Sequence, residues 1–259
     1  RLGSEVLMVT RVGNDIFAAN TIENFTRNGI DTTYVMPTEA TSGVAPIFVD
    51  EESRNSILIV KGANGLLTPA DVAAAERDIA RCRLIVLQLE IPLETVYAAI
   101  ELGERLGVPV LLNPAPAQPD LVLERVKGCE YLIPNESELS LLTGMPVDTF
   151  DDIRKAAGVL LRAGVRHVIV TLGAQGALWL AGGREELIDG IGVDALDTTG
   201  AGDAFIGCFS HVLVQSGDVL TALRRANQYA ADSVTKRGTQ TSYATAEGLS
   251  LLLREPDED

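Results

Sequence analysis

Residues 197–205, Asp-Thr-Thr-Gly-Ala-Gly-Asp-Ala-Phe, place three small residues directly ahead of an apolar run with helical spacing: Phe205, Ile206, Phe209, Val212 and Leu213. A helix that begins there presents bare main-chain amides and the positive end of its dipole. Both stabilise negative charge as it develops on a phosphoryl group in transfer, and no lysine is required. Gly200, Ala201 and Gly202 would form this anion hole. Asp203 falls in the first turn, where its carboxylate can accept the proton of a hydroxyl nucleophile. An Asp-capped, glycine-started helix would explain the glycines alone. The doubled threonine and the second aspartate go beyond that plainer pattern.

Three further groups could serve a ligand. Asn135-Glu136-Ser137-Glu138 follows a strand ending at Pro134. It reads either as a capping box or, at the carboxyl end of a parallel strand, as an Asn and Glu holding magnesium through its waters beside a triphosphate. Thr171-Leu172-Gly173-Ala174-Gln175-Gly176 follows another strand; its glycines either admit a nucleotide against the backbone or make a turn into Ala177–Leu180. Gln88 and Glu90 close the run from Leu84, so Glu90 is either a partner for sugar hydroxyls or a solvated carboxylate. His167 and His211 lack metal-ligand spacing and flank no nucleophile motif, so both are expected to be structural. The chain has no G-x-x-x-x-G-K-[S/T] loop, no G-x-G-x-x-G opening its first helix and no G-x-S-x-G elbow.

Elements that could position these groups follow from periodicity. Val6–Val9, Leu84–Leu89, Val108–Leu112, Tyr131–Ile133 and His167–Leu172 are short apolar runs that read as buried parallel strands. Helices are expected from Thr68-Pro69-Asp71, over Pro92–Leu106 before Gly107, over Asp151–Ala163 before Gly164, and over Ala201–Gln215, Val219–Lys236 and Thr245–Leu253. Such alternation implies right-handed crossovers in an α/β fold: a doubly wound, mostly parallel sheet with helices on both faces. Thr41–Val49 and Ser56–Val60, joined by the polar stretch Asp50–Asn55, leave no room for a crossover helix and read as an antiparallel hairpin, extending the sheet edge or covering a ligand. A single domain is expected over residues 1–259, with an acidic tail from Glu255 to Asp259.

Composition narrows the partners. Of 259 residues 46% are hydrophobic and 22% charged, enough apolar content for a real core. The balance of 21 basic and 36 acidic residues, net −15, leaves no cation excess to drive nucleic-acid binding. Cys82, Cys129 and Cys208 form neither a disulfide framework nor a zinc pattern, no apolar run approaches a membrane span, and no secretory signal is visible. The cytosol is the expected compartment, extended to the nucleus for a eukaryotic source.

Asp197–Asp203 closely resembles the C-terminal signature of the ribokinase-like carbohydrate kinases, and Asn135 with Glu138 matches their magnesium-associated N-x-x-E motif. The resemblance spans the chain, and Gln88-Leu89-Glu90, Asn113-Pro114-Ala115-Pro116 and Gly238-Thr239-Gln240-Thr241-Ser242-Tyr243 resemble the ribokinases more than fructokinases or adenosine kinases. It implies ATP-dependent phosphorylation of the 5-hydroxyl of D-ribose, with Asp203 as base and Glu90 on the sugar. Asn135, Thr171, Gly173, Gly176, Gly202 and Asn227 would bind ATP, and Glu138 magnesium through water. A monovalent cation, usually potassium, would be held by Asp197, Thr199, Ser233, Lys236, Gly238 and Ser242, mostly through carbonyls. The hairpin of residues 41–60 would be part of a small β lid that also forms a homodimer contact. The family's first strand, its sugar-gripping aspartate and its G-G-K-G-A-N turn would precede the match to Arg1-Leu2-Gly3, and none stands in this sequence; the sugar site would then lack most of its hydrogen-bond partners and the core a strand. Cys208 replaces a usual Ala or Gly. Other readings of the same residues are a non-catalytic nucleotide-binding relative and a kinase of another sugar or a nucleoside.

Overall fold

The computed structural model describes residues 1–49 and 55–252. Residues 50–54 of the expected hairpin turn, the last residue of the expected final helix and the acidic tail lie outside the described residues. Two compact units account for the chain: Glu5–Cys82 with Gln88–Val108, and Arg1–Ser4 with Arg83–Leu87 and Pro109–Asp259.

In the first unit β1 (Leu7–Val12) runs parallel to β2 (Asp31–Pro37), and α1 (Ile16–Arg27) connects them. The Asp15 carboxylate accepts the Ala18 amide and starts α1, as a short acidic N-cap does. A small core of Val12, Ala18 and Val35 sits between helix and strands. The run from Val6 was expected to join the other buried strands, yet it pairs with β2. The intervening helix returns the chain at once and lets a local parallel pair form. The expected hairpin is present as β3 (Ile47–Val49) and β4 (Asn55–Ile57), antiparallel, with a further bridge from Val44 to Val60. Helix α2 (Pro69–Ala74) opens with a reciprocal cap between Thr68 and Asp71, and the short α3 (Glu76–Ile79) follows it. Helix α4 (Leu93–Leu106) buries Val96, Tyr97 and Ile100 and stops at Gly107, whose φ of +69° suits a residue without Cβ.

The second unit holds a six-stranded sheet. Its strands are β5 (Ile85–Leu87), β6 (Val110–Leu112), β7 (Tyr131–Leu132), β8 (His167–Thr171), β9 (Gly176–Ala181) and β10 (Arg184–Asp189), lying side by side in that order. The first four are parallel and the last two antiparallel to their neighbours. Helices α5 (Glu136–Thr143), α6 (Phe150–Arg162), α7 (Ala201–Ser216), α8 (Val219–Ser233) and α9 (Ala246–Leu252) complete it.

Strand alternation assigns the faces. Leu111, Tyr131 and Ile169 pack with Phe205, Phe209, Leu223 and Tyr229 of α7 and α8. Leu132, Val168 and Val170, fully buried and one residue out of phase, point to the opposite face, where α6 and α5 contact β8. This is a mostly parallel sheet with helices on both sides. Val86 of β5 is 48% exposed where a buried strand was expected, because β5 is an edge of this sheet. Helix α8 stops at Ser233 rather than Lys236, as the chain tightens into a turn with the Lys236 amide on the Ser233 carbonyl at 3.3 Å. Among the described residues no helix is long and apolar enough to cross a membrane.

Candidate active site

The head of α7 is built by a backbone that only glycine adopts readily. Gly200 caps the helix at φ +81°, and a glycine offers no side-chain oxygen, so the N-cap residue satisfies none of the first amides of the helix through a side chain. A Cβ added at Gly202 would meet nothing within 4 Å, and Gly202 and Asp203 are both exposed at the helix head. The Ala201 amide differs from expectation: it donates to the Thr198 carbonyl at 3.2 Å and is engaged in the turn. Solvent reaches Asp203, yet the protein packed around it desolvates the carboxyl and pushes its pKa up. An aspartate so placed is a stronger base than a free one.

A strap of residues 238–243 holds this turn. One Asp197 oxygen accepts the Gly238 amide at 2.9 Å and the other accepts the Thr199 amide at 3.0 Å. Bonds from Thr199 and then from Gly238 hold the Asp197 carboxyl below the usual aspartate range. The Leu196 amide donates to the Val234 carbonyl at 2.8 Å. Ser242 is buried, its hydroxyl on the Thr239 carbonyl at 2.7 Å, and buried Ser233 donates to the Ala230 carbonyl. Lys236 pairs with Asp232. The structure thus brings Asp197, Thr199 and Gly238 together, with Ser233, Lys236 and Ser242 on the adjoining chain. Each Asp197 oxygen thus receives a main-chain amide, and among the described residues no cluster of three His, Cys, Asp or Glu could hold a metal.

The carboxyl ends of β7 and β8 supply the second part. Asn135 bridges to Thr171, and the Thr171 amide donates to the Pro134 carbonyl at 3.0 Å. Asn135 and Glu138 form the capping box of α5: Asn135 accepts the Glu138 amide and Glu138 accepts the Asn135 amide, each at 2.8 Å. Burial dominates the Glu138 environment and raises its pKa despite those bonds. One carboxylate oxygen is therefore committed to the helix, which suits a metal contact through water rather than direct ligation. Gly173, at φ +54°, has open space where a Cβ would be. Gly176 has none, since a Cβ there would stand 2.0 Å from the Ile188 carbonyl, so close strand packing by itself requires a glycine. Buried Asn227 donates from Nδ2 to the Asp189 carbonyl at 2.7 Å, anchoring the end of β10. Strand β10 is parallel to β8, so the chain leaves it at the rim that carries Thr171 and continues through residues 190–200 to α7.

Glu90 belongs to the other unit, half-buried in the turn between buried Leu89 and α4. That unit also holds a knot that sequence reasoning missed. Asp15 accepts both the amide and the hydroxyl of Ser42 at 2.7 Å, while the Ser42 hydroxyl accepts the Gly13 amide at 3.1 Å. A Cβ at Gly13 would stand 2.2 Å from the Ser42 amide nitrogen. The Asn-Asp pair ahead of the apolar spacing of α1 was the available signal. The histidines are structural: His167 Nδ1 accepts the Trp179 indole N–H at 3.0 Å and His211 bonds Ser4 at 2.8 Å. A depression of about 770 Å³ lined by Arg162, His167, Trp179 and Arg184 lies at the opposite rim of the sheet from Thr171 and carries none of the residues expected to bind nucleotide, sugar or metal. All three cysteines are free.

Ligands of open α/β sheets bind beyond the carboxyl ends of the strands, where Asn135 and Thr171 stand here. The chain belongs to a family of sugar kinases: residues 1–246 match the pfkB family carbohydrate kinases. Within it the chain is a kinase of the ribokinase type. It is 55% identical over 254 residues to the deoxyribokinase of Salmonella typhi, covering 98% of this chain and 83% of that one. It is 39% identical over 244 residues to the ribokinase of Schizosaccharomyces pombe, covering 92% and 76%. The structure of Arabidopsis thaliana ribokinase complexed with ribose and ATP superposes with a TM-score of 0.88 at 28% identity, over 97% of this chain and 83% of that one.

Proposed function

We propose that this chain transfers the γ-phosphoryl group of ATP to the 5-hydroxyl of a pentose, with 2-deoxy-D-ribose as the preferred acceptor. The carrying observation is the open, glycine-capped head of α7 with the pKa-raised Asp203 in its first turn. Asp203 takes the proton of the 5-hydroxyl as that oxygen attacks. The amides of Gly202 and Asp203 receive the charge that builds on the phosphoryl oxygens, a fixed dipole arrangement that needs no reorganisation. Bound ATP supplies the transferred group, and magnesium offsets the charge of its phosphates. Thr171, Gly173 and Gly176 line the nucleotide, Asn227 holds the adjoining chain end, and Asn135 with Glu138 orients the water shell of the metal. Asp197 and the carbonyls of Thr199, Ser233, Lys236, Gly238 and Ser242 hold potassium. Glu90 bonds the sugar, over which the hairpin of β3 and β4 closes while meeting its counterpart in a homodimer.

The choice of acceptor rests on 55% identity to a deoxyribokinase against 39% to a ribokinase. D-Ribose is the second reading, favoured by the likeness to the ribose-bound Arabidopsis structure. Coupled ADP-release assays with 2-deoxyribose, ribose, fructose and adenosine decide between them. The expected result is the highest kcat/KM with 2-deoxyribose and its loss in Asp203→Asn. ATP binding with no phosphorylated sugar would replace the proposal with a non-catalytic nucleotide-binding role.

A further inference from the structure

We propose that Tyr243 is a positioning residue whose hydroxyl fixes the peptide between Gly200 and Ala201 and so sets the direction of the α7 head toward the phosphoryl group. The inference rests on the phosphoryl-transfer reading above.

The Tyr243 hydroxyl donates to the Gly200 carbonyl at 3.0 Å, across 43 residues of sequence. That carbonyl also accepts the first helical bond of α7, from the Ala204 amide at 2.9 Å. Both of its lone-pair directions are thereby used. Because the peptide is planar, holding the Gly200 oxygen also orients the Ala201 N–H, which closes the turn onto Thr198. The same strap grips the turn upstream, where Asp197 accepts the Gly238 amide. Thr199 therefore lies between two attachments, one through the Asp197 carboxylate and one from a phenol. The backbone that carries this phenol is itself braced. The Arg1 guanidinium donates to the Tyr243 carbonyl at 2.9 Å, and the Tyr229 hydroxyl donates to the next carbonyl, Ala244, at 2.6 Å. Glycine at position 200 has the conformational freedom to swing this peptide; Tyr243 removes that freedom.

Tyr243→Phe keeps the ring and deletes the bond. With the preferred pentose, kcat should fall about tenfold, short of the 10²–10³ lost when an oxyanion donor itself is removed. The KM values for ATP and sugar should stay within about twofold, as expected for an interaction strengthened in the transition state. Affinity for ADP with aluminium fluoride and the sugar, a mimic of the transferring phosphoryl group, should fall by the same factor as kcat, while affinity for a non-hydrolysable ATP analogue holds. A merely structural tyrosine would lower the melting temperature and leave both ratios alone. Unchanged kcat in Tyr243→Phe, or equal weakening of the ATP analogue and the transition-state mimic, overturns the inference with the kinase reading intact. A wild-type protein that phosphorylates no pentose overturns the kinase reading first, and this one with it.

Discussion

Replacing Gly200 by alanine tests the helix head through two separable costs. An L-residue at φ +81° is strained by about 1–2 kcal/mol. The new Cβ would also lie 2.4 Å from the Tyr243 hydroxyl, with Thr239 carbons at 3.3 Å. The phenol can rotate away, but only by giving up its bond to the Gly200 carbonyl, worth about 1 kcal/mol. Together Gly200→Ala should cost about 2–3 kcal/mol, which for a chain of this size lowers the melting temperature by about 4–12 °C. In a Tyr243→Phe background no hydroxyl is left to displace, and the same alanine should cost only the backbone strain. The double-mutant cycle should therefore return a coupling near 1 kcal/mol. Thermal melts with urea titrations of the four proteins supply the numbers. A melting temperature unchanged by Gly200→Ala, or strictly additive costs in the cycle, would refute the account of how this turn is held.

Other outcomes follow from the same geometry. Because burial raises the Asp203 carboxyl, the acid limb of kcat should lie above the ordinary aspartate range, since the base works only when deprotonated; a kcat flat down to about pH 4 would remove Asp203 from that role. Glu138→Ala leaves the Asn135 amide without its carboxylate, so it should cost about 0.5–2 kcal/mol in melts and raise the magnesium concentration needed for half-maximal rate. Glu138→Gln should recover most of the stability but not the magnesium response. The Asp197 carboxyl is held low, so its stabilisation is present above the unfolded aspartate pKa and lost as pH falls through the lower folded value. Asp197→Asn should accordingly melt below wild type at neutral pH, with the gap narrowing below about pH 4, and lose activation by potassium; a gap independent of pH would contradict the assignment.

Much of the architecture was legible in residue order because its signals are local. The 3.6-residue spacing from Phe205 to Leu213, the Thr68-Pro69-Asp71 start and the stop at Gly107 each act within one or two helical turns, and the structure has helices at all three. Strand runs at 110–112, 131–132 and 167–171 were equally visible, since strands covered on both faces are apolar throughout. The pairing of β1 with β2 was not, because it joins separate segments through α1, whose Ala18, Ile22 and Phe25 pack on that small core while Ile16 and Phe17 stay exposed and blur the pattern. At the site, residue order by itself determined that a glycine-started helix carries an aspartate in its first turn. Tertiary structure decided the surroundings of that first turn, leaving Gly202 and Asp203 exposed while the protein packed about the Asp203 carboxyl raises its pKa. It also joined Asp197 to Gly238 and Gly200 to Tyr243 across more than forty residues. Backbone preference and capping are settled between near neighbours, whereas those two bonds exist only because packing of α7 against α8 brings the chain after α8 back onto the turn before α7.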